Sequence, residues 1–174
     1  MITFDQEHRL FHLAMNDASY VCGIIDSGHL VTYHFGKKLY SPITPKAFDD
    51  APFLELGSQT THSKGEKPLN LNLTRLEVAT YGKGDYREPT IHIETADGYR
   101  SLEFLYVSHQ ITQNLSYPEM PQAKKEETLQ VRLKESTYNI ELILNYTVYP
   151  EQNTLVRNME LINHEALPLT LDRM

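Results

Sequence analysis

Tryptophan is missing from the 174 residues, and cysteine occurs once. Sugar-binding modules stack their ligands on exposed aromatic faces, so that role would fall to some of the eleven tyrosines; most tyrosines in alternating strands belong to a core. One cysteine excludes a disulfide framework and a cysteine zinc cluster. Cys22, in the run Tyr20-Val21-Cys22-Gly23-Ile24, reads as a small buried hydrophobe rather than a nucleophile. No apolar run approaches the roughly 20 residues of a membrane helix. The opening Met1-Ile2-Thr3-Phe4-Asp5-Gln6-Glu7 has neither a basic nor an apolar leader region, so no signal peptide is expected and the cytoplasm is the expected compartment. A net charge of −7 without a basic stripe makes nucleic acid a poor partner. No segment carries a helical apolar stripe of twelve or more residues.

What is present is alternation. Tyr138, Ile140, Leu142, Leu144, Tyr146 and Val148 fall on one face of a long run, with Asn139, Glu141, Asn145 and Thr147 on the other and Ile143 as the exception. Leu129, Val131 and Leu133 alternate with Gln130, Arg132 and Lys134. Asp26-Ser27-Gly28 and Ala96-Asp97-Gly98 separate strand-like runs as hairpin turns do, with glycine supplying a positive φ. Strands are expected at about 3–5, 8–14, 18–25, 29–35, 90–95, 100–109, 127–135, 138–149, 153–163 and 167–172. Many strands, short turns and no crossover helices define an all-β antiparallel sandwich. Leu, Ile, Val and Phe supply 45 residues for its core. Residues 1–174 make a single domain.

One stretch departs from this pattern. Residues 41–68 hold four of the nine prolines, and from Gly57 to Pro68 no residue but proline is apolar. A long excursion from a sandwich is usually functional or disordered. It carries the adjacent acids Asp49 and Asp50, which are too close in sequence to act as the opposed carboxyl pair of a glycosidase; one carboxylate suffices to contact a sugar hydroxyl.

Other chemistry is weak. His8 and His12 are four apart but lack the glutamate of a zinc-binding helix, and the eight histidines are scattered, so no metal site and no cofactor are expected. Gly82-Lys83-Gly84-Asp85 lacks the third glycine and the helix of a dinucleotide loop. The wider run Tyr81-Gly82-Lys83-Gly84-Asp85-Tyr86-Arg87-Glu88-Pro89 is either a structured turn or a docking surface that shapes a pocket, with Asp85, Tyr86 and Arg87 as its candidate residues.

That run resembles the Y-G-x-x-D-[FY]-R-x-P signature of bacterial α-galactosidases of glycoside hydrolase family 36. Collinear fragments extend the resemblance: Phe4-Asp5, Phe11-His12-Leu13, Ala18-Ser19-Tyr20-Val21, Gly28-His29-Leu30, Tyr33-His34-Phe35-Gly36-Lys37, Tyr106-Val107-Ser108-His109, Glu127-Thr128-Leu129, Leu144-Asn145-Tyr146-Thr147-Val148 and Leu169-Thr170-Leu171-Asp172-Arg173. The resemblance covers the family's N-terminal β-supersandwich, a galactose-mutarotase-like fold, and not its catalytic barrel. It implies a chain without catalytic residues, because the barrel carries both catalytic aspartates and the nucleophile motif includes a tryptophan. The chain stops inside a strand-like segment at Arg173-Met174, as a fragment of a longer enzyme would.

In the family the enzymes are typically tetramers, and a loop of this domain reaches a neighbour's active site. The resemblance places Asp49, in Phe48-Asp49-Asp50-Ala51-Pro52-Phe53, at the position of the sugar-contacting aspartate. It places Lys67, before Leu69-Asn70-Leu71-Asn72, where the family has arginine; lysine keeps the charge but loses the planar fork. The expected partners are an α-galactoside such as melibiose or raffinose, the chain's own catalytic barrel and sister subunits of a homotetramer, with no membrane and no nucleic acid. The alternatives are a stand-alone carbohydrate-binding sandwich and a purely structural, oligomerising one.

Overall fold

The computed structural model describes residues 1–40, 42–48, 62, 69–113 and 126–174. Among the described residues ten strands appear where alternation expects them: β1 (Ile2–Asp5), β2 (Leu10–Ala14), β3 (Ala18–Ile24), β4 (Leu30–Lys37), β5 (His92–Glu94), β6 (Phe104–Gln113), β7 (Glu127–Glu135), β8 (Ile140–Tyr149), β9 (Thr154–Asn163) and β10 (Thr170–Arg173). Among the described residues the only helical pieces are three short 3-10 turns, at Pro45–Phe48, Leu71–Leu73 and Pro150–Gln152. No described helix is long and apolar enough to cross a membrane.

Strands β1-β2-β3-β4 form one antiparallel meander and β6-β7-β8-β9 a second. A two-stranded ribbon pairs β10 with β5, with Leu171 opposite Ile93. The alternating side of β8 is buried as its pattern requires: Ile140, Leu142, Leu144, Tyr146 and Val148 all face the core. They meet Phe11, Leu13, Tyr20, Cys22 and Ile24 of the first sheet, so a single core lies between the two meanders. Phe4, Phe11 and His109 close one side of it, with ring centroids 4.3 to 4.8 Å apart.

Two strand limits shift for local reasons. The expected strand at 8–14 begins only at Leu10, because Asp5 accepts hydrogen bonds from the His8 backbone N–H and pairs with its ring, holding a turn, with Arg9 at positive φ. The expected strand at 100–109 begins at Phe104 and runs on to Gln113 along β7, across a bulge between Tyr106 and Ser108. Gly28 and Gly98 take φ of +89° and +82°, as the two hairpin turns require.

Candidate functional site

The segment 69–103 crosses between the sheets and brings together three polar clusters. The first is the glycine-rich turn. Gly82 sits at φ +92° with Ser101 against it; an added Cβ would lie 2.1 Å from the serine Oγ, so only glycine fits. The turn aims Asp85 inward, and its side chain is 2% exposed. Arg87 donates to both carboxylate oxygens, from Nε at 2.8 Å and Nη2 at 2.6 Å. The same guanidinium donates to the carbonyls of Thr74 (2.6 Å) and Leu71 (2.7 Å), which bound the 3-10 turn. Asp85 and Arg87 thus brace the backbone from within, whereas Tyr86 and Tyr81 are exposed.

The second cluster surrounds Glu77, whose side chain has no exposed surface. Tyr20 of β3 and Thr32 of β4 donate to one oxygen through short hydrogen bonds. Tyr146 of β8 and Arg157 of β9 donate to the other, each at 2.7 Å. The Arg157 guanidinium lies 5.2 Å from the centre of the Tyr146 ring. Burial, and then the nearby carboxylate, push the Tyr20 and Tyr146 hydroxyls above the usual phenol range, so both remain donors. Burial opposes the charge on Arg157, but Glu77 and the two tyrosines outweigh it and raise its pKa. An open depression of about 430 Å³ adjoins this cluster, lined by Arg157, Asn145, Asn158 and Met159.

The third cluster joins His29, His62 and Glu103. Nε2 of His62 lies 2.5 Å and Nε2 of His29 lies 3.2 Å from the same carboxylate oxygen, while Lys83 Nζ stands 4.0 Å from the other oxygen. The hydrogen bond with His29, and then that with His62, hold the Glu103 carboxyl down at about 2 against the opposing effect of burial.

The sugar-contact candidates Asp49, Asp50 and Lys67 lie outside the described residues. Their described neighbours converge: Phe48 stacks on Tyr33 with centroids 5.5 Å apart, and Phe48 and Leu69 line one open depression of about 410 Å³ together with Ile25 and Arg75. His8 and His12 do not meet, since His8 pairs with Asp5 and His12 with Ser19. Cys22 is fully buried and its thiol is pushed up by that burial, as befits an inert core residue. Sequence reasoning missed Glu77 and the His29–His62–Glu103 cluster. Leu76-Glu77-Val78 looks like ordinary alternation, and no spacing rule connects histidines 33 residues apart.

This two-meander sandwich with a braced glycine-rich turn is a domain type found at the front of glycoside hydrolases. Residues 28–174 match the glycosyl hydrolase family 36 N-terminal domain, and the chain belongs to that family. It is 24% identical over 178 residues to the α-galactosidase AgaA of Geobacillus stearothermophilus, covering 99% of this chain and 24% of that protein. The α-galactosidase Mel36A of Lactobacillus acidophilus is also 24% identical, over 100% of this chain and 24% of its own length. The crystal structure of an α-galactosidase from Lactobacillus brevis superposes with a TM-score of 0.88 at 22% identity, covering 98% of this chain and 24% of that one. The chain therefore spans about a quarter of the length of these relatives. A structure of AgaA carrying two substitutions, in complex with raffinose, superposes at a TM-score of 0.84 and 25% identity.

Proposed function

We propose that this chain is the non-catalytic N-terminal domain of an α-galactosidase that hydrolyses terminal α-galactosides of the melibiose and raffinose type. Its work there is oligomer assembly and completion of the substrate pocket. The observation that carries the reading is the match of nearly the whole chain to about a quarter of the length of α-galactosidases, together with the match of residues 28–174 to the family's N-terminal domain. The charged residues of the glycine-rich turn support a bracing role, because Asp85 and Arg87 spend their polar groups on the domain itself. Tyr81, whose ring lies 5.9 Å from that of His92 in β5, then offers aromatic surface to the catalytic barrel, together with exposed Tyr86 and with Leu171 of β10.

Asp49 accepts hydrogen bonds from galactose hydroxyls in a neighbouring subunit's site, and Lys67 donates one. A hydroxyl bonded to a charged group contributes roughly 1.5–3 kcal/mol. In the parent enzyme Asp49→Ala should therefore lower kcat/KM by about 10- to 150-fold, with Asp50→Ala as the near-neutral control. Equal small effects at both positions would reduce the pair to solvated acids. The isolated chain should release no nitrophenol from a nitrophenyl α-galactoside. Calorimetry with galactose separates the carbohydrate-binding alternative: millimolar or tighter binding by the isolated chain would replace the pocket-completing role with a self-sufficient sugar site.

A further inference from the structure

Three side chains from distant parts of the sequence aim one ligand atom each at a common point. His29 stands at the β3–β4 hairpin, Glu103 directly before β6, and His62 in the stretch between Phe48 and Leu69. The three ligand atoms lie within 4.8 Å of one another. The side chains are 6%, 12% and 18% exposed for His29, Glu103 and His62, so the group is shielded yet open to a water molecule. We propose that His29, His62 and Glu103 bind one divalent transition-metal ion of the zinc class, a site independent of the sugar-related reading above.

The chemistry of the donors selects the ion. Two imidazole nitrogens and one carboxylate suit zinc, cobalt, nickel or copper, and disfavour calcium and magnesium, which seek oxygen. Three protein ligands plus water is a usual zinc arrangement. Ser27 Oγ lies 2.8 Å from Nδ1 of His29; with the proton on Nδ1 donated to that hydroxyl, Nε2 keeps its lone pair for the metal. Nδ1 of His62 has no protein partner among the described residues, so no contact prevents the same tautomer there.

Both distances to Glu103 require little movement, and the two imidazole nitrogens, within 4.8 Å of each other, need close by no more than about 1.5 Å. A tetrahedral ion about 2.0–2.1 Å from nitrogen and oxygen places its ligand atoms roughly 3.3 Å apart. The His29–Glu103 separation of 3.2 Å already meets this, and the His62–Glu103 separation of 2.5 Å must open by under about one ångström. Edge-to-face packing of the two rings, with centroids 5.3 Å apart, leaves both nitrogens directed at Glu103. Lys83 near the second oxygen opposes the cation and sets the site's affinity below that of a bare His₂Glu cluster. A bound ion would fasten His62 to the β3–β4 hairpin and to the start of β6 at once.

The test is calorimetric titration of the metal-stripped 174-residue chain with zinc chloride, repeated with cobalt chloride and read by visible absorption. The expected result is one ion per chain, the visible bands of low-coordinate cobalt, and a rise in Tm with zinc in excess. His62→Ala and Glu103→Gln should each weaken binding by more than about tenfold, and Ser27→Ala by about tenfold. Lys83→Met should tighten it several-fold, which separates the site from simple surface histidines. His8→Ala, at an exposed turn, should leave it unchanged. Circular dichroism confirms that each variant folds. Absence of saturable binding, or binding that persists in the His62→Ala/Glu103→Gln double variant, overturns the proposal and leaves the cluster a hydrogen-bonded clip.

Discussion

Two buried carboxylates, Asp85 and Glu77, each meet an arginine, but the two pairs do different work. Asp85 and Arg87 are two residues apart, and every additional bond of the Arg87 guanidinium goes to one neighbouring turn. Glu77 takes its partners from four strands, 45 to 80 residues away in sequence, with Tyr20 and Thr32 before it and Tyr146 and Arg157 after it. The first pair fixes a local shape. The second ties one sheet to the other through charge, hydroxyls and an aromatic face. Buried ion pairs contribute little against an apolar replacement of the whole group, but removing one member leaves the others uncompensated. Stability therefore depends far more on completing the Glu77 network than on the count of bonds suggests.

The largest expected effect is at Glu77. Glu77→Ala leaves two buried phenols without their acceptor, while Arg157, whose side chain is 46% exposed, can turn to water; the unfolding free energy should fall by about 2–5 kcal/mol in urea denaturation. A loss below about 1 kcal/mol would show that water enters through the adjoining depression and replaces the carboxylate. Leu142→Ala, in the apolar core between the same sheets, should cost a similar 2–5 kcal/mol or so, and serves as the yardstick for a position without polar partners. Arg87→Ala should cost less, about 1–3 kcal/mol, because the arginine side chain is 35% exposed and water can follow into its place beside the buried Asp85 carboxylate and the two carbonyls. Arg87→Lys should recover only part of this, since a point charge cannot span both oxygens.

A pH series sharpens the contrast further. Burial lowers the pKa of His109, among Phe4, Phe11 and the Tyr106 hydroxyl, and of His12, which also feels the N-terminus, His34 and Lys38. The unfolded chain takes up these protons near 6.5 while the folded chain resists them, so stability should be full above about pH 6.5 and fall as pH drops through the lowered values. His109→Gln should flatten part of that slope in pH-dependent thermal melts. The smallest effect belongs to Tyr86→Ala, within about 0.5 kcal/mol for the isolated domain because the side chain is exposed. A larger loss there would mean that Tyr86 packs within the domain instead of offering a surface.

The sheets were legible because alternation leaves its mark on neighbouring residues. Ile140, Leu142, Leu144, Tyr146 and Val148 declare a buried face without reference to the rest of the chain. The glycine-rich turn was legible for the same reason, with Asp85 and Arg87 within one short run. Glu77 was not, because nothing near it in sequence signals that Tyr20, Thr32, Tyr146 and Arg157 will converge on it. His29, His62 and Glu103 were hidden likewise, since 33 and 41 residues separate them in sequence. Asp49 and Lys67 rest on resemblance, as single polar residues in a proline-rich stretch carry no periodic signal.

The order of the strands also carries a kinetic consequence. Each four-stranded sheet is a run of consecutive hairpins, β1 to β4 and β6 to β7 to β8 to β9. Loop-closure entropy grows slowly with length, so even with the thirteen residues between β6 and β7 each meander can zip along its own length before the two meet. Glu77 lies on the connecting segment between them and collects its bonds only once both have formed. Its network then belongs to the last stage of folding. Its disruption should speed unfolding many-fold while leaving the folding rate nearly untouched, so this one carboxylate works as a brake on the opening of the sandwich.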